Sequence, residues 1–146
     1  MKDHSRYCSV CSIARAACIC RHVTQQNNRY PVLILQHNDE KKKPMYFVNP
    51  VIKNKNSNFS TYEEGCLSVP GQFAEIDRPD KCHIKYLDYY GQSKEIKAEG
   101  MLATCIQHEI DHLEGILFID YLSKLKKSMI IKKLSKQKKA IERIVV

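Results

Sequence analysis

Residues 105–115 read Cys-Ile-Gln-His-Glu-Ile-Asp-His-Leu-Glu-Gly, and two histidines four apart have a use only if the stretch is helical. On a helix, side chains at i and i+4 leave the same face, so His108 and His112 can offer ring nitrogens to one cation with Glu109 beside them. H-E-x-x-H is the arrangement of helical zinc sites whose glutamate is the general base. Two histidines do not complete such a site, because a catalytic zinc takes three protein ligands and keeps a fourth position for water. The bland alternative is a surface helix with two incidental histidines.

The residues that follow exclude two common ways of supplying the third ligand. An H-x-x-G-x-x-H continuation is met at Gly115 and fails at Phe118, where the histidine belongs. A glutamate on a following helix fails as well, since that stretch offers lysines until Glu142. Upstream, Glu-Glu-Gly-Cys-Leu-Ser-Val-Pro-Gly at 63–71 sets Cys66 beside Gly65 and ahead of Pro70. This is a constrained loop between β segments, in which a thiol is either aimed at a ligand or buried in a tight turn.

The flanking sequence is mostly of β texture. The apolar run at 31–36 and a second from Tyr46 are separated by Lys41-Lys42-Lys43-Pro44, which predicts a hairpin. Residues 56–61 form a polar loop, and 82–99 alternate about an Asp88–Gly91 turn as a further hairpin does. From Gly100 to His112 the residues tolerate a helix, with Gly115 placed to stop it. A second helix is predicted from about Asp120, with Leu122, Leu125, Met129, Ile130, Leu134, Ile141 and Val145 forming its apolar stripe. The fold class is therefore α+β, with antiparallel β-sheets around a short metal-binding helix and an amphipathic helix at the carboxy end.

At 146 residues and 43% hydrophobic content, the chain is expected to be one domain, with a divergent segment at 1–30 and a basic helix at 120–146. It has no apolar stretch of about 18 residues, and its start lacks the basic-then-apolar layout of a secretory signal, so a cytoplasmic location and no membrane partner are expected. Seven cysteines at irregular spacing in such a chain point to reduced thiols or metal ligands rather than a disulfide framework. Residues 121–146 hold nine Lys or Arg and one acid, so the whole net charge of +8 sits there.

Glu-Gly-Cys-Leu-Ser-Val-Pro at 64–70, followed about forty residues later by Gln-His-Glu-Ile-Asp-His-Leu-Glu-Gly, resembles the second and third motifs of the peptide deformylases. The likeness extends through Phe118-Ile119-Asp120-Tyr121-Leu122-Ser123. The resemblance implies Cys66, His108 and His112 as ligands of one divalent ion, with Glu109 as catalytic acid and base. One thiolate and two imidazoles suit iron(II) or zinc better than magnesium or calcium; the resemblance implies iron(II) first, with zinc, nickel or cobalt as alternatives. The implied reaction hydrolyses the formyl amide of nascent peptides that begin with formylmethionine. Its oxyanion would be met by the backbone N–H of Leu67 and the side-chain amide of Gln25. Cys18, Ile19, Cys20, Glu64, Phe73 and Cys105 are implied to line the substrate site.

The first motif departs from the family's Gly-hydrophobic-Gly-Leu-Ala-Ala-x-Gln. Here 18–25 read Cys-Ile-Cys-Arg-His-Val-Thr-Gln, so Cys18 and Cys20 replace both glycines, and Arg21, His22 and Val23 replace apolar and small residues. Glycine permits a close backbone approach and positive φ that cysteine resists. About 17 residues precede this segment, fewer than the family's opening helix needs. A noncatalytic paralogue that keeps its metal and binds peptide ends is therefore the alternative. Cys8-x-x-Cys11 with Cys18-x-Cys20 is too cramped for a good second zinc site, and His4, His22, His37 and His83 read as ordinary surface or core residues. The lysine-rich helix suits a phosphate-rich partner such as the ribosome, or solvent alone, and a nucleic-acid-binding module is a third reading.

Overall fold

A computed structural model describes residues 32–35, 45–66 and 68–144. Four strands, β1 (Val32–Leu35), β2 (Met45–Lys55), β5 (Lys81–Leu87) and β6 (Ser93–Glu99), form an antiparallel sheet in the order β1-β2-β5-β6. β3 (Phe59–Cys66) and β4 (Val69–Pro79) pair as a separate antiparallel ribbon. Helix α1 (Gly100–Leu113) follows β6, and a 3-10 turn at Phe118–Tyr121 leads to helix α2 (Lys124–Ile144). Among the described residues, no helix is long and apolar enough to cross a membrane.

Turn chemistry sets these boundaries. Asp88 Oδ1 accepts hydrogen bonds from the N–H groups of Tyr90 and Gln92, both at 2.9 Å, and Gly91 adopts φ 78°, closing the expected β5–β6 hairpin. Between β6 and α1 the chain reverses at Gly100, whose φ of 57° is strained for any residue with a side chain. Its N–H donates to Asp80 O at 2.8 Å, which fixes the origin of the helix that carries the histidines. The polar loop expected at 56–61 is shorter, because β3 already begins at Phe59. The Asn56 side chain bonds Asp80 and accepts from the Lys81 N–H, so one asparagine does the work of a longer connection.

Two apolar clusters form the core, and the first of them holds α1 against the sheet. Phe47, Ile84 and Ala98 of the sheet pack on Ala103, Ile106 and Ile110 of α1, with Cys82 and Cys105 among them. Each fully buried side chain of this size contributes roughly 1.5–3 kcal/mol. The second cluster joins Cys66, Val69 and Ile76 of the β3–β4 ribbon to Phe118 and Ile119.

Helix α2 differs from the sequence expectation in both start and face. It begins at Lys124, after Ser123 Oγ accepts the Lys126 N–H as an amino-terminal cap. Ile130 and Leu134 pack on the second cluster with Leu122, whereas Leu125 and Met129 are 73% and 63% exposed. Five residues separate Leu125 from Ile130 and Met129 from Leu134, which at about 100° per residue turns the members of each pair roughly 140° apart. One stripe cannot contain both pairs. Val145 and the side chain of Ile141 lie outside the described parts.

Candidate metal centre

The β3–β4 ribbon and α1 meet where Cys66 ends its strand. A register shift between Gly65 and Cys66 turns the thiol out of the ladder, and the Ser68 N–H donates to Sγ at 3.4 Å. Sγ stands 3.2 Å from His112 Nε2, which stands 3.0 Å from His108 Nε2. The three donor atoms lie within 4.8 Å of one another, though Cys66 and His112 are 46 residues apart in sequence.

Burial pushes the Cys66 thiol up, but His108, His112 and the Ser68 N–H outweigh it and bring its pKa to about 6. A thiol with such a pKa is largely thiolate at neutral pH, the form that binds metal. His112 is raised, first by its hydrogen bond to Cys66 and against the opposing effect of burial; the nearby charge of Glu109 adds to the rise.

Behind His108 lies a polar chain. Its Nδ1 donates to Glu64 Oε2 at 2.8 Å, which leaves Nε2 with its lone pair directed at Cys66 and His112. Glu64 is fully buried and receives Arg78 through Nε at 2.5 Å and Nη2 at 3.0 Å. Burial would raise the Glu64 carboxyl, but His108 and Arg78 hold it below the ordinary carboxylate range. Nη1 of Arg78 reaches Asp111 Oδ2 at 2.7 Å, where the Tyr121 hydroxyl also donates at 2.8 Å. The Arg78 guanidinium lies over the Tyr121 ring, 4.7 Å from its centroid, and its pKa is raised further by the two carboxylates although burial opposes this.

The donor set fits a cation. With metal–nitrogen bonds of about 2.0–2.1 Å and a metal–sulfur bond of about 2.3 Å, a tetrahedral ion separates its ligand atoms by roughly 3.3–3.6 Å. The observed 3.0 and 3.2 Å fall within a few tenths of an ångström of that spacing. Two ring nitrogens and a thiolate directed at one point repel each other unless a proton or a cation lies between them.

The other sequence-derived site residues are placed as follows. Glu109 is buried on α1 between the two histidines, and Cys105 is buried one turn earlier in the first apolar cluster. Phe73 pairs with Gly65 across the ribbon and is half exposed. Glu64 departs from the substrate-lining role the resemblance implies: both its oxygens are engaged, so it touches a ligand ring rather than a pocket. Cys18, Ile19, Cys20, Gln25 and Leu67 lie outside the described residues, as do Cys8, Cys11, His4, His22 and His37. His83 is on the sheet surface, 3.0 Å from Glu95. Arg78 is the residue that sequence reasoning misses. The available signal is its position two residues after Ile76 on a strand, which puts both on one buried face.

The profile of the polypeptide deformylase family matches residues 23–128. A peptide deformylase of Pelagibacter ubique is 67% identical over 118 residues, covering 81% of this chain and 67% of that protein. The chain belongs to the peptide deformylase family. Two solved deformylases share its fold. That of Legionella pneumophila has a TM-score of 0.68 at 43% identity, covering 77% of this chain and 66% of its own. That of Ehrlichia chaffeensis, in complex with actinonin, has a TM-score of 0.64 at 42% identity, covering 75% and 66%. The chain thus spans about two thirds of the length of these deformylases. Membership agrees with the α+β build and makes the Cys66, His108 and His112 cluster a candidate for the family's metal.

Proposed function

We propose that this chain removes the formyl group from the amino terminus of newly made proteins, releasing formate and a free amine in the cytoplasm. The observation that carries the reading is the convergence of Cys66, His108 and His112, with Glu109 beside the histidines on the same helix. Those three side chains would hold one divalent ion, by family likeness iron(II) first, with zinc, nickel or cobalt sharing the same ligands. When bound, the ion supplies Lewis acidity and makes water acidic near neutral pH.

The remaining work falls to the chain itself. Glu109 takes the proton of the attacking water and returns it to the departing amine nitrogen. Glu64 keeps His108 in one tautomer, and Arg78 keeps Glu64 ionised and still. By family likeness, the Leu67 N–H and the Gln25 amide donate to the oxyanion, each worth about 2.7–4 kcal/mol in comparable sites. Cys18, Ile19, Cys20, Phe73 and Cys105 are assigned to the substrate site on the same ground. Actinonin, bound to the Ehrlichia relative, is expected to compete with substrate here. The exposed lysines of α2, among them Lys132, Lys133 and Lys136, suit the phosphates of the ribosome from which nascent chains emerge.

The test is formate release from formyl-Met-Ala-Ser by protein loaded with iron(II) under argon, beside Glu109→Ala. Turnover by the native chain and its loss in the variant support the reading. Equal rates would show that no enzyme is present and would favour a noncatalytic paralogue.

A further inference from the structure

A cleft with a volume of about 460 Å³ opens between the carboxy-terminal half of α1 and the end of β2. Its lining includes Val51, Lys53 and Lys55 from the strand and Ile110, Asp111 and Glu114 from the helix. Counted at about 100° per residue, Ile110 and Glu114 lie roughly 140–180° around α1 from the histidines, with Asp111 between the two faces. The cleft is therefore separate from the metal centre, and its volume is within the range of small-molecule sites, about 300–1,000 Å³.

Its charges are only partly paired. Asp111 is 7% exposed, and Arg78 and Tyr121 both bond its Oδ2, so Oδ1 has no hydrogen-bond partner among the described residues. One guanidinium serves the two buried carboxylates Glu64 and Asp111, and Glu64 also has His108, so Asp111 shares its countercharge. Glu114 adds a second acid at i+3 on the same side of the helix. Opposite them, Lys53 and Lys55 are exposed and form no ion pair among the described residues. Acids on one wall, bases on the other and a floor of Val51 and Ile110 match a ligand with an ammonium, a carboxylate and a short apolar body.

We propose that this cleft binds a small zwitterion of the α-amino-acid class. Its ammonium sits on Asp111 Oδ1 and Glu114, its carboxylate faces Lys53 and Lys55, and occupancy is felt at the metal centre. Asp111, Arg78, Glu64 and His108 are joined in one unbroken series of hydrogen bonds, so drawing Asp111 toward the cleft changes how firmly the far end holds His108. Binding here does not depend on deformylase activity.

The probes are L-leucine, leucinol (ammonium without carboxylate) and N-acetylleucine (carboxylate without ammonium), titrated into zinc-loaded protein while backbone amide NMR shifts are followed. L-leucine is expected to shift residues 51–55 and 110–114, and the half-charged analogues to bind about tenfold more weakly or worse, the value of roughly 1.4 kcal/mol at each end. Lys53→Met with Glu114→Gln, both outside the metal centre, should abolish those shifts. Because linkage is reciprocal, L-leucine should also change the rate at which a chelator strips zinc, by about fivefold or more, in native protein and not in the double variant. The proposal is overturned by equal binding of N-acetylleucine, by shifts confined to the histidine face of α1, by shifts that survive in the double variant, or by a stripping rate that leucine leaves unchanged.

Discussion

Replacing Arg78 with methionine tests the polar chain behind the metal centre. The substitution keeps most of the stem and deletes a guanidinium that is 2% exposed and makes three hydrogen bonds, at 2.5, 3.0 and 2.7 Å. It strands Glu64 and Asp111, which are 0% and 7% exposed. Removing one partner of a buried ion pair costs about 3–5 kcal/mol, because the charge left behind has neither water nor a counterion. A domain of this size has roughly 5–15 kcal/mol in total, and each kcal/mol moves Tm by about 2–4 °C, so Tm should fall by about 6–20 °C. The chain has no tryptophan, so unfolding in urea is best followed by circular dichroism. A triple variant, Arg78→Met with Glu64→Gln and Asp111→Asn, should recover most of the loss, since it removes the stranded charges as well. Zinc affinity of the single variant should fall about 10–100-fold as Glu64, the acceptor of His108, loses the guanidinium that holds it in place. A loss below about 1 kcal/mol with unchanged zinc affinity would refute the reasoning and mean that water or a rearranged side chain replaces the guanidinium.

Four further outcomes are expected. Glu109→Gln should lower kcat for formyl-Met-Ala-Ser by about 10²–10⁴-fold while zinc content, measured by atomic absorption, stays unchanged. Zinc at 100 times its Kd should stabilise the native chain by about 2.7 kcal/mol in urea titration, and His112→Ala should lose that gain. Leu134→Ala should cost about 1–2 kcal/mol, whereas Leu125→Gln and Met129→Gln stay within about 0.5 kcal/mol, because only Leu134 packs on the second cluster. Asp120 is held below its ordinary value first by Lys127 and then by the Leu117 N–H. A carboxyl with a depressed folded-state pKa stabilises above its unfolded value of 3.8, and loses that contribution as pH falls through the lower folded value. Asp120→Asn should therefore be the less stable protein at pH 7, by under about 1 kcal/mol given its exposure, with the difference gone near pH 2.

The parts of the fold legible in the sequence are those governed by local rules. The i, i+4 histidines require a helix, Asp88 and Gly91 require a turn, and period-two alternation marks the strands on either side. Contacts between distant segments were harder to read. Arg78 lies between Asp77 and Asp80, and an arginine among acids reads as surface charge; only the packing of β4 under α1 turns it inward. Glu64 shares a motif with the metal ligand Cys66, and the resemblance assigns it to the substrate site. The register shift between Gly65 and Cys66 breaks the regular alternation of the strand, so which way each side chain points is settled by contact: Glu64 reaches His108 and Cys66 reaches His112. On α2, apolar residues recur often enough to suggest one stripe, yet two i, i+4 pairs on different faces satisfy that spacing equally well, and tertiary contact selected Ile130 and Leu134.

X-ray absorption at the metal edge of the zinc-loaded chain addresses the metal centre most directly. One sulfur at about 2.3 Å and two imidazole nitrogens at about 2.0–2.1 Å are predicted, with the sulfur lost in Cys66→Ala and one nitrogen lost in His112→Ala. A first shell of oxygen and nitrogen alone, unchanged in Cys66→Ala, would contradict the account.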